Sequence, residues 1–443
     1  MGLLLFTRSL LFGQNVLVHW PDHTKVDKWF SDTTKVALGS LGRQYVVTDF
    51  GVVQDSTMVQ TTALQKVIDR AHDDGGGVIV IPKGTFLSGS LFFKQGTHLY
   101  LSEGSRLKGA DRIEHFPVLQ TRIEGQTCRY FAALVNAEGL DGFTISGPGT
   151  IDGNGYHYWK EFWIRRQWNP ECTNKDAQRP RLVYLSCCKN VTVADVHMEN
   201  SPFWTNHLYR CDHVRYLGVS IYAPTEGVKA PSSDAIDLDA CSDVLIHGCY
   251  MNVNDDAIAL KGGKGEWADT LSENGPNERI LVDRCTFATV HACLTVGSES
   301  VYDRNVVMQN CLSTNANRVL WLKMRPDTPQ HYEFVSVCGM KGYADKFLVI
   351  RPWTQFYAPE DRPDKPRSRC NDISIEQVEM SCNSFFDVAP SADYQLDKFS
   401  FQGINVKETV NSFNIQLLPQ AQISDVAGFI VPNAAFNAVF VFA

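Results

Sequence analysis

Three carboxylates and an imidazole stand at the openings of short apolar runs. Asp234 leads Asp234-Ala235-Ile236, Asp256 leads Asp256-Ala257-Ile258 with Asp255 beside it, and His291 leads His291-Ala292-Cys293-Leu294. The two Asp-Ala-Ile segments are 22 residues apart. If that is one turn of a repeat, they stack on neighbouring layers, and His291 falls into the same column. Carboxyls held that close resist joint ionisation, so one keeps a proton near neutral pH. A protonated carboxyl beside charged ones suits acid–base hydrolysis. At a glycosidic bond, one carboxyl protonates the leaving oxygen while another activates water. Two further readings of the same residues stay open: aspartates satisfying turn amides at strand ends, and ligands for calcium.

A repeat is needed to bring these residues together, and the chain contains one. A polar residue followed by a short apolar strand recurs as Asn190-Val191, His213-Val214, Asp243-Val244, Arg279-Ile280 and Asn305-Val306, then Asp372-Ile373 and Lys398-Phe399. Successive anchors from Val191 to Val306 are separated by 23, 30, 36 and 26 residues. A minimum near 23 with variable additions describes a solenoid coil with loops projecting from it. Five residues beyond each anchor stand Val196, Val219, Cys249, Cys285, Cys311, Val378 and Ile404, a small apolar set suited to an inward column. Cys249, Cys285 and Cys311 therefore read as buried small hydrophobes. A second strand family holds the candidate carboxylates and continues through Arg318-Val319-Leu320-Trp321-Leu322. Helical periodicity is confined to residues 59–72, read as a helix capping the first coil. The expectation is an all-β parallel solenoid with rungs about 4.8 Å apart.

Composition agrees with a single long domain. The 443 residues carry a net charge of −8 without a long basic run, which argues against nucleic acid as a partner. No apolar stretch reaches the roughly 20 residues of a membrane span. Thirteen cysteines are an odd number and lack a paired Cys-x-x-Cys framework. We read residues 1–43 as an N-terminal arm, whose first 14 residues are either the remnant of a secretory signal or plain arm. Residues 44–443 are read as the solenoid, with the apolar residues 429–443 packed against its end.

Four short segments carry a family resemblance: Ser232-Ser233-Asp234, Asn254-Asp255-Asp256, Val290-His291-Ala292 and Trp321-Leu322-Lys323. They resemble, in order, the Asn-Thr-Asp, Asp-Asp, Gly-His-Gly and Arg-Ile-Lys motifs of glycoside hydrolase family 28, the polygalacturonases. Asp49-Phe50-Gly51, residues 81–86, residues 145–153, Arg179-Pro180-Arg181 and residues 200–204 extend the likeness from about residue 45 to 410. The resemblance implies a right-handed parallel β-helix and an inverting hydrolase of pectic polysaccharide, secreted or periplasmic in a bacterium, without cofactor or metal. It implies Asp255 as general acid and Asp234 and Asp256 as the carboxylates that position and deprotonate water. His291 would tune them, and Lys323 would bind substrate.

The departures matter too. Trp321 replaces an arginine that contacts a galacturonate carboxylate, exchanging an anion clamp for an indole on which a sugar can stack. One sugar beside the scissile bond is then expected to be a rhamnose or a decorated residue, unless Arg318 or Arg325 restores the charge. His207 and Lys261 are further candidates to line the groove. Residues 156–168 read as a loop insertion over one cleft end, which would make the enzyme exo-acting. A pectate-lyase-type eliminase and a non-catalytic glycan-binding solenoid are the rival readings.

Overall fold

The computed structural model describes residues 16–408, 418 and 421–427; the segments read as signal remnant and C-terminal packing lie outside the described residues. Short strands follow one another around each coil, and each pairs in parallel with its counterpart one coil on. Asn206–Tyr209, Asp212–Leu217 and Ser220–Tyr222 form one coil, and Ile236–Asp239, Ser242–His247 and Tyr250–Asn252 form the next, in matched register. The solenoid is therefore a parallel β-helix with three strand-bearing faces.

The repeat read from the sequence is the register of one face. Val191 pairs with Val214, Val214 with Val244, Val244 with Ile280 and Ile280 with Val306. The column continues through Val335, Ile373 and Phe399, and all of these side chains are buried. The polar residue before each anchor has its own cause. Asn190, His213, Asp243, Arg279, Asn305, Asp372 and Lys398 all have φ between 51° and 55°. These coils thus share a left-handed residue at this bend, which throws a side chain outward and favours polar types there, although Phe334 takes the same position before Val335.

The core is the stacked interior of the coils. Cys249, Cys285 and Cys311 lie inside it; the Cys249 thiol donates to the Tyr216 carbonyl and that of Cys285 to the Ile246 carbonyl. Cys188, Cys211 and Cys241 are likewise buried, and the last two donate to Leu185 and Leu208 carbonyls one coil back. Helix α1 (Thr61–Asp73) buries Leu64, Val67, Ile68 and Ala71 against the first coil. It starts two residues later than the apolar spacing suggests, because Val59 ends a strand. It ends at Asp73 and the chain turns through Gly75, Gly76 and Gly77, all at positive φ; at Gly76 a Cβ would lie 2.7 Å from the Gly96 carbonyl oxygen.

Residues 16–43 run along the outside of the solenoid. Trp20 and Phe30 cover Leu217, Leu245, Leu281 and Val307, and Asp22 pairs with Arg304 at 2.9 Å. Residues 156–168 are not a loop: they form helix α2 (Tyr156–Trp168), buried through Tyr158, Trp159 and Phe162. An antiparallel hairpin, Val118–Ile123 with Gln126–Phe131, departs from the parallel scheme.

Candidate active site

Five strands of one face form the floor of the site: β1 (Asn206–Tyr209), β2 (Ile236–Asp239), β3 (Ile258–Lys261), β4 (Leu294–Val296) and β5 (Leu312–Met324). Ile236, Ile258, Leu294 and Leu320 point inward as one column and set the register. Asp234 and Asp256 stand two residues upstream on adjacent coils, with the Ala235 amide donating to the Asp256 carbonyl at 3.0 Å. Ala292 and Arg318 continue that column. His291 does not share it. Its amide donates to the Asp255 carbonyl at 2.9 Å, so it stacks on Asp255. The reason is spacing: His291 stands three positions before inward Leu294, whereas Asp256 stands two before Ile258.

Side chains converge as the motifs imply. His291 Nδ1 lies 3.6 Å from Asp255 Oδ1 and 3.9 Å from Asp256 Oδ1. Lys323 Nζ lies 2.8 Å from Asp256 Oδ2. Asp255 has 32% of its side chain exposed, while Asp256 is 1% exposed, so Asp255 is the carboxyl a substrate meets first. Ligand atoms of Asp255, Asp256 and His291 lie within 4.8 Å of one another, close enough to hold a divalent ion. The Lys323 ammonium already supplies counter-charge at Asp256.

The protonation pattern follows from burial and charge. Burial, then repulsion from Asp255 and Asp237, raises the Asp234 carboxyl well above its usual range. Burial also raises Asp237, against the opposing pull of Lys261. For Asp255, burial alone would raise the carboxyl, but the adjacent His291 ring, with the Lys323 and Lys261 charges, holds it below its ordinary value. The resting site therefore keeps its proton on the inner pair Asp234–Asp237 and leaves Asp255 ionised.

Asp237 was missed among the sequence candidates. It lies outward on β2, level with His207 on β1 and Ala259 on β3, fully buried, with Lys261 Nζ 3.8 Å away. Its signal was the period-two pair Asp237 and Asp239 in an otherwise apolar strand. Lys261 lines the pocket but is engaged by Glu299 at 3.2 Å. Three substrate-binding expectations are corrected. Arg325 is buried and forked onto Asp327 at 2.7 and 2.6 Å, so it offers no charge to the cleft. His207 is buried between the floor and the hairpin, accepting from Arg181 at 2.6 Å; burial depresses it to about 4, so it stays neutral. Trp321 is 5% exposed and its face is covered by the Arg318 guanidinium at 3.9 Å, which leaves it no open stacking surface. Trp353 lines the pocket in its stead, with Lys323 Nζ 4.8 Å from its ring centre.

The groove is walled on one side. The hairpin crosses the floor, and Arg122 reaches down to Asp239 at 3.1 Å in a fully buried pair. Its tip, Glu124-Gly125, has φ of 52° and 67° and abuts Gly263 and Glu299 beyond the exit of the floor strands. Asn174 closes the rest: its amide donates to Glu124 at 2.9 Å, and its carbonyl accepts from Ser232 at 3.1 Å on the entrance side. What remains is a pocket of about 290 Å³ lined by Glu124, Asp234, Asp255, Asp256, His291 and Lys323 among others.

Residues 78–319 match the family model of glycosyl hydrolases family 28, over half of the chain. The chain belongs to glycosyl hydrolases family 28. This family 28 chain is 26% identical over 261 residues to a probable polygalacturonase of Vitis vinifera, covering 57% of the chain and 50% of that protein. It is 25% identical over 289 residues to an endo-polygalacturonase of Pectobacterium carotovorum subsp. carotovorum, covering 61% of the chain and 66% of that protein. It spans about half the length of the first of these relatives. The fold is that of a solved exopolygalacturonase from Thermotoga maritima, with a TM-score of 0.64 at 20% identity over 86% of the chain and 91% of that structure. No helix among the described residues of this family 28 chain is long and apolar enough to cross a membrane.

Proposed function

We propose that this protein hydrolyses glycosidic bonds of a pectic saccharide, with inversion, from the end of the sugar chain. The observation carrying the proposal is the convergence of Asp234, Asp255 and Asp256 with Lys323 in one walled pocket. Lys323 offers a uronate carboxylate its charge-assisted partner. A uronate drawn to Lys323 competes for the cation that holds Asp255 ionised, and the sugar strips water from Asp255. Both changes raise the Asp255 carboxyl. A proton then passes from the inner carboxyl pair to Asp255, which delivers it to the leaving oxygen. Asp234, now charged, and Asp256 take the proton of the attacking water. Trp353, with Trp321 and Arg318 behind it, gives the sugar beside the scissile bond an apolar wall, which suits a rhamnose or a decorated residue. A secreted or periplasmic setting follows from a polymeric substrate.

The test is product analysis on oligogalacturonides and rhamnogalacturonan oligosaccharides, with Asp255→Asn as control. Saturated products released one unit at a time, with inverted anomeric configuration by NMR and insensitivity to chelator, are expected. Unsaturated, chelator-sensitive products would mean elimination, and a ladder of intermediate fragments would exclude action from the chain end.

A further inference from the structure

Glu124 has a place in the pocket that the hydrolytic steps leave unused. It occupies the first position of a two-residue turn with both φ values positive, and the neighbouring glycine is packed so closely that a Cβ would lie 2.9 Å from Glu299 Cβ. The tip cannot withdraw. Arg122 and Asp239 pin the hairpin behind it, and Arg181 donates to the Arg122 carbonyl at 2.9 Å. The side chain is 5% exposed and lines the pocket. Oε1 accepts from Asn174, whose carbonyl is tied to Ser232 and Arg179, so the direction of that amide is set. Oε2 receives no hydrogen bond from any described residue. That oxygen is open to the pocket rather than sealed among protein atoms, and the donors a sugar brings to it are hydroxyls.

We propose that Glu124 is a specificity-determining residue that accepts hydroxyl hydrogens of the chain-terminal sugar, making the pocket selective for a free chain end. The inference rests on the hydrolytic reading above. It also orients the sugar, because a uronate carboxylate is repelled by Glu124 and drawn to Lys323, leaving the hydroxyl edge against the wall.

The experiment compares oligogalacturonides and rhamnogalacturonan oligosaccharides bearing intact ends with the same oligosaccharides bearing the unsaturated uronate end left by a lyase, which lacks one hydroxyl. Wild type should prefer intact ends by roughly 10-fold or more in kcat/KM, the worth of a hydrogen bond to a charged group. Glu124→Gln should reduce that preference to about 3-fold or less, mainly through KM, with thermal stability unchanged; Asn174→Ala should weaken it in part. An unaltered preference in both variants overturns the inference while the hydrolytic reading stands. Absence of wild-type cleavage on every substrate overturns the hydrolytic reading and this inference with it.

Discussion

Lys323 Nζ lies 2.8 Å from Asp256 Oδ2, reaching from β5 across the intervening strand β4 to the mouth of β3. Both groups are nearly inaccessible, at 8% and 1% side-chain exposure. Removing one partner strands the other as a buried charge, which costs about 3–5 kcal/mol. Lys323→Met is therefore expected to lower stability by that order in urea unfolding and to abolish measurable activity. Lys323→Arg should recover stability better than activity, since its planar fork cannot occupy the point position between the Trp321 and Trp353 rings.

Asp234→Asn and Asp255→Asn should separate stability from catalysis. Asp234 is buried and already favours its protonated form, which an amide mimics, so Asp234→Asn should leave the melting temperature unchanged or higher. Both variants should lose about 10²–10⁴ in kcat, the range for a lost acid or base. A variant that melts normally and hydrolyses normally would remove that residue from the mechanism.

Asp237→Asn tests whether the inner pair holds the shared proton. Without it, Asp234 loses a repelling neighbour, so its carboxyl should fall towards the ordinary range. The pH–rate profile should change shape, with its acid limb moved to lower pH, whereas a merely structural role would lower kcat equally at every pH.

Asp303 predicts a pH-dependent stability remote from catalysis. Burial raises its carboxyl to about 7, partly offset by the hydrogen bond that Asn277 donates to it. A carboxyl raised in the folded state stabilises fully below its unfolded value near 3.8 and loses that contribution as pH climbs through about 7. The span corresponds to about 4 kcal/mol at most. Asp303→Asn should flatten the fall in melting temperature between pH 4 and pH 7, roughly the window between the two values. An identical slope in wild type and variant would refute it.

Arg122→Met should strand Asp239 beneath the hairpin and cost about 3–5 kcal/mol, while Arg122→Met with Asp239→Leu should recover much of it. Comparing the two by thermal unfolding distinguishes a buried ion pair that holds the wall from one that is incidental to it.

The repeat, the inward cysteines and the four motif segments are legible in the residue string because a solenoid writes its register locally. Most coils pair an apolar anchor with a polar residue at the left-handed bend before it, and Asn190-Val191 or Asp243-Val244 shows both. Asp234, Asp255, Asp256 and His291 could be brought to one place by counting coils, and Lys323 joined them through the family motif. Tertiary structure decided what counting could not reach. His291 aligns with Asp255 because Leu294, rather than Cys293, stands in register with Ile258. Arg325 and His207 are engaged by Asp327 and Arg181, partners that no periodicity announces. Glu124, more than a hundred residues before Asp234, meets the site only because its hairpin folds across the floor. Register follows from local pattern, but the wall of a pocket depends on which distant loops close over it.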